Sequence, residues 1–444
     1  MQLNNTTFSK VLLVIVLFLI TTFAIAILGL QDIESRVRKD TANALNVVVE
    51  TTHETHIIWI KDNKSSVEFT AKNPLMVSLV KQLLDEGMSA KEPRANSALK
   101  NLRHYFITSH NTLNHVGFFI ITKDNINAAS MRDGSLGRKN LITRHYPELL
   151  EKAFSGETVF VPPIESDVVF DDGSVRNRPT MFFVTPIMDK AGVRALFALQ
   201  ILPNRSFTRI TQAGRIGKTG ETYVFNKSGF MLTNSRFVSD LHRIGLITKE
   251  QDAILNIRVS DPGANMLNGF KPVLSPSDQA LTVMAESAVS GKSGVNVSGY
   301  RDYRGQTVFG AWLWNEELGF GVTTEIDEKE ALRSYELTKN TVQYIVLIML
   351  SLSVLLALVI YWIEQKASKN LKSAYNELEH KTTELKALQG VVPICSYCKH
   401  IRNDEGSWDL LEQYFSDHLD AKFTHGICPS CLAKQKEKIQ AEND

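Results

Sequence analysis

Two stretches without a single charged side chain, residues 11–30 (VLLVIVLFLITTFAIAILGL) and about 343–363 (QYIVLIMLSLSVLLALVIYWI), constrain this chain more than any other feature. At about 1.5 Å rise per residue, a helix of either length spans the roughly 30 Å hydrocarbon layer of a bilayer. A water-soluble helix seldom excludes charge for so long, because one of its faces must meet solvent. Tyr344, Tyr361 and Trp362 stand at the ends of the second run, where an aromatic belt lies. In the first run Ala24-Ile25-Ala26 offers the A-x-A spacing of a signal-peptide cleavage site. The apolar stretch continues through Leu30, however, and exceeds the about 7–15 residues of a signal-peptide core. The expectation is an uncleaved anchor and a two-pass membrane protein. Lys plus Arg number 49 against 48 Asp plus Glu, a net charge of +1, so there is no basic footprint for general nucleic-acid binding. A hydrophobic share of 43% excludes a disordered chain.

Orientation rests on charge and on cysteine. Lys366, Lys369 and Lys372 follow the second run and favour a cytoplasmic C-terminus, but Arg36, Arg38 and Lys39 follow the first and blur that signal. All four cysteines lie at 395–431, and the loop 31–342 has none. Paired thiolates need a reducing compartment, whereas a Cys-free loop tolerates an oxidising one. Residues 31–342 are therefore expected outside the cytoplasm, with 1–10 inside. Within the loop, 31–72 reads as one long helix, with Ala42, Leu45, Val48, Val49, Trp59 and Ile60 near helical spacing and no proline until Pro74. A second helical stretch covers about 75–113. Strand signals follow at 115–122, 126–131, 157–161, 180–188 and 193–201. A similar order recurs at 221–226, 230–234, 306–314 and 319–326, which suggests two stacked α/β modules hung on one long helix.

Several motifs within this loop resemble the membrane-proximal half of a double-Cache sensor domain. They are Gly217-Lys218-Thr219-Gly220-Glu221-Thr222-Tyr223, Ser228-Gly229, Ser235-Arg236-Phe237, Gly299-Tyr300-Arg301-Asp302-Tyr303-Arg304-Gly305, Gly310-Ala311-Trp312 and Glu325-Ile326-Asp327. Taken singly, the glycines serve turns, and Trp312 and Trp314 serve packing. The resemblance covers about 31–340 and implies an α+β fold: a PAS-like antiparallel sheet in a distal module (about 75–205) and in a proximal one (about 206–330). It also implies a small ligand in the distal module, an amino acid or related metabolite. The segment nearest to the amino-acid site of such domains is Arg144-His145-Tyr146 with Asp167, without the family's Trp and with Tyr146 one place early. Arg144 offers a planar fork for a carboxylate and Asp167 balances an ammonium, a pair suited to a zwitterion with Tyr146 beside it. A surface Arg and a loop Asp are the bland alternative.

Beyond the second apolar run, 364–389 places Leu371, Leu378 and Leu385 seven residues apart, with Lys381 breaking the second heptad position. A short parallel coiled coil, and with it a homodimer, competes with a solvated single helix. Next come Cys395-x2-Cys398 and Cys428-x2-Cys431. Two residues between thiolates let one turn present both sulfurs to a metal, and two such knuckles complete a tetrahedral four-sulfur shell. Structural Zn2+ is expected. A redox dithiol lacks the surrounding βαβ unit, and iron–sulfur ligation stays open. Residues 390–436 resemble the small cysteine-pair module that ends many bacterial sensor and response-regulator chains, here taken as zinc-ribbon-like, with 437–444 a tail. Trp408, Leu410, Leu411, Tyr414, Phe415 and Leu419 have the spacing of a mini-core, and His400, His418 and His425 are expected at the surface or outside the metal's ligand shell.

No phosphate-binding loop, kinase pattern or hydrolase elbow occurs in the cytoplasmic part, so an enzyme is not expected. The chain reads as a bacterial inner-membrane receptor with a periplasmic sensor domain, a short stalk and a zinc module that engages a cytoplasmic signalling partner. The alternatives are a membrane-anchored binding or scaffold protein without transmembrane signalling, and an enzyme whose activity lies in the tail.

Overall fold

A computed structural model of the chain describes residues 4–86, 96–110, 115–166, 179–388, 392–418 and 422–441. Two compact units compose it: Thr21–Val346, and Met1–Ile20 together with Leu347–Asp444. Helix α1 (Asn4–Ala71) carries the first apolar run and, without a break, the core residues Leu45, Val49, Ile60 and Val67. It ends where the Asn73 side chain accepts the Leu75 N–H and Pro74 opens α2 (Pro74–Asp85), a capped start that resets the chain direction. The single helical stretch expected over 75–113 is two helices, α2 and α3 (Ser97–His110). Gly87 and Pro93, the residue types least suited to a helix interior, lie between them.

The first sheet is built from β1 (His115–Ile121), β2 (Asn127–Ser130), β3 (Val159–Ile164), β4 (Thr180–Asp189) and β5 (Gly192–Ile201), in the order β2-β1-β5-β4-β3 and antiparallel throughout. Its strands read as continuous apolar runs because both faces are covered. Phe118, Ile120, Phe183 and Phe197 pack with α1, α2 and α3. Phe119, Phe182, Val184 and Leu196 pack with Ile142, Leu150 and Ala153 of α4 (Ile142–His145) and α5 (Pro147–Phe154) on the other face. Alternation is the signature of a sheet with one wet face, and this sheet has none.

Helix α6 (Ser206–Ala213) leads into the second sheet: β6 (Glu221–Asn226), β7 (Gly294–Arg301), β8 (Thr307–Asn315) and β9 (Phe320–Asp327), ordered β6-β9-β8-β7. This repeats β1-β5-β4-β3 strand for strand. The expected counterpart of β2, residues 230–234, forms only the isolated bridges Phe225↔Met231 and Phe230↔Arg258. Strand β7 was not evident from its sequence (GVNVSGYR). It pairs with β8 across an irregularity between Asn296 and Tyr300, where Gly299 adopts φ 99°, a left-handed conformation open to glycine. Helices α7 (Val238–Ile244) and α8 (Val283–Val289) cover its outer face, and α1 its inner face. Phe207 of α6 joins the two modules: its ring lies 5.8 Å from Trp59 of α1 and 6.2 Å from Phe320 of β9, while Trp59 lies 5.5 Å from Phe183. Strand β9 passes through α9 (Glu328–Ala331) into α10 (Arg333–Leu388), which contains the second apolar run.

In the second unit α10 continues to Leu388, with Leu371, Leu378 and Leu385 exposed. The tail consists of β10 (Ile401–Arg402) paired with β11 (Trp408–Asp409), then α11 (Leu411–His418) and α12 (Pro429–Ala441). The expected mini-core is not closed. Ile401 is the one buried residue among those described from 392 to 441, Trp408 and Leu410 are half exposed, and Leu419 lies outside the described residues. Two-residue strands and an eight-residue helix supply too little apolar area to bury one another.

Candidate functional sites

The distal site expected at Arg144, Tyr146 and Asp167 is only partly described. Arg144 is exposed on the last turn of α4. Tyr146 is half-buried against the α4–α5 face of the sheet, and burial, with help from Glu148, raises its phenol above the usual value. Asp167 lies outside the described residues, which stop at Ser166 after β3. Next to α4 the fold concentrates buried polar groups: the Asn140 amide donates to Asn127 Oδ1 at 2.6 Å, and the Asn127 amide donates to the Ser135 carbonyl at 3.1 Å. Around them the side-chain oxygens of Asn125, Ser135 and Thr143 are buried without a partner. Buried oxygens of this kind ordinarily find one, so this corner can accept further donors. A separate groove of about 570 Å3 opens between α1 and α6, lined among others by Val48, Thr51, Thr55, Trp59, Arg209 and Ile210.

In the proximal module the motifs quoted from sequence converge on a buried polar network that reading their glycines as turns and their tryptophans as packing did not anticipate. Glu325 on β9 accepts hydrogen bonds from Tyr300 at 2.6 Å and Tyr223 at 2.9 Å. Glu221 on β6 accepts from Ser235 at 2.6 Å, Tyr303 at 2.7 Å and the Arg236 N–H at 2.7 Å. Arg304 donates to Asp302 at 2.7 Å and to Asp327 at 3.3 Å, with its guanidinium 3.7 Å above the Phe237 ring. Burial pushes Glu325 up to about 8, and the charge of Asp302 adds to it, against the two tyrosines that favour the carboxylate. Burial likewise raises Glu221 and Asp302, in each case opposed by Arg304. Three buried carboxyls around one buried cation leave an excess of negative charge, so the network holds a proton at neutral pH. The sequence signal was available: Glu221 and Tyr223, and Glu325 and Asp327, are ionisable or hydroxyl residues two apart on strands, hence on one face of the sheet, and Tyr300 and Asp302 stand at the end of β7 and just after it.

His56 of α1 is a second buried titratable group. Its Nδ1 lies 2.9 Å from the Thr52 carbonyl and its Nε2 3.2 Å from that of Phe207, so a neutral ring has one N–H for two acceptors. Burial nonetheless holds its pKa down to about 4.

The cysteine pairs are two distinct half-sites. Cys395 and Cys398 flank a tight turn in which the Cys395 N–H donates to the His400 carbonyl, the Lys399 N–H donates to the Cys395 carbonyl, and Lys399 adopts φ 61°. The backbone N–H groups of Cys398 and Tyr397 face the Cys395 sulfur and lower its thiol pKa. The second pair sits at the start of α12. There the Ser430 hydroxyl, 3.1 Å from the sulfur, and then the Cys431 N–H bring the Cys428 thiol down to about 7. Each pair thus fits a soft metal: sulfurs one turn apart, with N–H groups ready to stabilise thiolate. Among the described residues no group of three or more metal-ligating side chains is assembled.

No protein-family profile and no curated protein matches the chain. Among solved structures it is similar to the sensor domain of the Vibrio cholerae histidine kinase DctB, at 12% identity and TM-score 0.40 over 66% of this chain and 98% of that domain. The periplasmic sensory domain of the Campylobacter jejuni chemoreceptor Tlp1 is similar at 13% identity and TM-score 0.39, over 67% and 98%. The ligand-binding domain of the Campylobacter jejuni chemoreceptor Tlp3, in complex with L-valine, is similar at 9% identity and TM-score 0.38, over 68% and 97%.

Proposed function

We propose that this chain is a two-pass receptor of a bacterial inner membrane that binds a small molecule through the two-sheet domain in the periplasm and passes the event to its cytoplasmic tail. One observation carries the reading: the helices that hold the apolar runs are the same helices that build or leave the sensor core. Among the described residues, two helices are long and apolar enough to cross a membrane. α1 contributes Leu45, Val49 and Ile60 to the core shared by both sheets, and β9 runs through four residues of α9 into α10. A ligand that repacks either sheet therefore acts on elements that lead directly into a membrane helix. Arg144, Tyr146 and Asp167 are the proposed distal contacts, for a zwitterion such as an amino acid. The exposed seam of Leu371, Leu378 and Leu385 serves homodimerisation, and the four cysteines close on one structural Zn2+ that completes the small module for a protein partner.

The test combines topology and binding on the full chain. Reporter fusions after residue 200 and after residue 440 are expected to report periplasm and cytoplasm respectively. A thermal-shift screen against amino acids, organic acids, amines and purines is expected to give a hit, since ligand at about 100 times its Kd adds about 2.7 kcal/mol. Both fusions on one side of the membrane would refute the two-pass reading, and a screen without a hit would remove the ligand class.

A further inference from the structure

Helices α1 and α6 lie against each other at the joint of the two modules without filling the space between them. The groove there takes from α1 the short or β-branched side chains of Val47, Val48, Thr51 and Thr55, which with Trp59 span about 18 Å of helix. From α6 and its C-cap it takes Ser206, Arg209, Ile210, Ala213 and Gly214, spaced three and four apart and hence on one face. At one end the two backbones approach so closely that a Cβ on Gly214 would collide with the Thr52 hydroxyl. At the other end Trp59 closes the gap, its ring 5.8 Å from that of Phe207. The groove between these ends, about 570 Å3, is of the size that holds a small molecule, about 300–1,000 Å3.

Its chemistry is apolar walls with one cation and a few hydroxyls. Arg209 is exposed, and its guanidinium makes no ion pair or hydrogen bond among the described residues. The Thr51 and Ser206 hydroxyls are equally unengaged, whereas the Thr55 hydroxyl donates to the Thr51 carbonyl at 2.7 Å. No Asp or Glu is among the residues that line the groove. The stretch 202–220 around α6 carries Arg205, Arg209, Arg215 and Lys218 and no acid at all. A surface of one sign gathers the opposite charge, and a guanidinium takes a carboxylate through two parallel N–H groups. An ammonium would find no counter-charge here.

We infer that this groove binds a monocarboxylate with an apolar body, a ligand class distinct from the zwitterion proposed for the distal site. The carboxylate meets Arg209 and accepts from the Thr51 and Ser206 hydroxyls, while the apolar body lies along Val48 and Ile210 toward Trp59. The position is one from which an occupant reaches both sheets. Trp59 also lies 5.5 Å from Phe183 of the distal sheet, and Phe207, next to the groove on α6, lies 6.2 Å from Phe320 of the proximal one. A molecule wedged between α1 and α6 therefore bears on the side chains that join the modules.

Calorimetric titration of the full chain in lipid nanodiscs with 3-phenylpropanoate tests the site. Arg209→Gln is expected to weaken binding roughly 10- to 150-fold, the loss of one charge-assisted contact. Thr51→Phe, which puts a ring into the groove, is expected to abolish it. Both positions are exposed, so Tm by circular dichroism is expected to stay at the parent value. Arg243→Gln removes an exposed arginine of α7 that pairs with Asp240, and is expected to bind as the parent chain does. No binding to the parent chain would overturn the inference, as would equal affinity in the parent, Arg209→Gln and Thr51→Phe. An equal loss in Arg243→Gln would reduce the effect to net charge and overturn it too. The photocrosslinking amino acid p-benzoylphenylalanine at Val47 is expected to give no adduct between chains. Such an adduct would make the groove a contact with a second copy and remove the ligand site.

Discussion

Replacing Glu325 with Gln probes the buried network of the proximal module. The side chain is fully enclosed by β6, β7 and β9, and burial lifts its pKa from 4.5 to about 8. A folded-state pKa above the unfolded one means that the folded chain holds the proton more tightly. The stabilisation is complete below pH 4.5 and is lost progressively as pH rises from 4.5 through 8. At about 1.4 kcal/mol per pH unit, that loss is about 5 kcal/mol. Gln keeps the shape, accepting from Tyr300 through its oxygen and donating to Tyr223 through its amide, and does not titrate. The two proteins are expected to unfold within ~1 kcal/mol of each other at pH 4.5, the size of one altered hydrogen bond. By pH 8–9 Glu325→Gln is expected to be the more stable, by an amount that raises Tm by roughly 10 °C in a unit of this size. Thermal unfolding of the full chain, followed by near-ultraviolet circular dichroism at half-unit pH steps, measures both curves. Glu221 and Asp302 titrate in the same direction in both proteins, so the difference between the curves isolates Glu325. Parallel curves across pH 4.5–9 would refute the assignment of the buried proton to this residue.

His56 works in the opposite direction: a folded pKa of about 4 against 6.5 gives stability that is full above pH 6.5 and falls by about 3 kcal/mol as pH drops through 4, and His56→Phe, which keeps the edge contacts with Phe207 and Phe320, is expected to flatten that acid limb in the same melts. Cys395→Ser or Cys428→Ser is expected to abolish zinc binding and unfold residues 392–441, because one buried residue cannot hold the tail; a full chain with substoichiometric zinc and a protease-resistant tail would count against the metal. Arg144→Ala is expected to weaken the best ligand from the screen by roughly 10- to 150-fold with Tm unchanged, since an exposed Arg gives one charge-assisted contact and no core packing; unchanged affinity by calorimetry would move the pocket away from α4.

Periodicity and composition were sufficient for the one-dimensional layout, and chemistry between distant segments was not visible in them. The two charge-free runs, the unbroken helix through residue 71 and the repeat of strand positions all follow from local rules about burial, charge and proline, which act over a few residues. The cysteine pairs were legible for the same reason, as two sulfurs per turn. Gly87 and Pro93 stand in the sequence between α2 and α3, whereas β7 was obscured by Asn296, Ser298 and the left-handed Gly299, whose strand character depends on β8 beside it. Only the tertiary structure could bring Glu221, Tyr300 and Glu325, from three separate strands, into one enclosure where a carboxyl keeps its proton. The same holds for His56, set between two carbonyls, and for Phe207, set between the sheets. Desolvation depends on everything that surrounds a group, so it cannot be read from the residue's own neighbours in the chain. The sequence determined which segments are apolar, helical or paired. The packing of distant strands and helices against one another decided which charges lost their water.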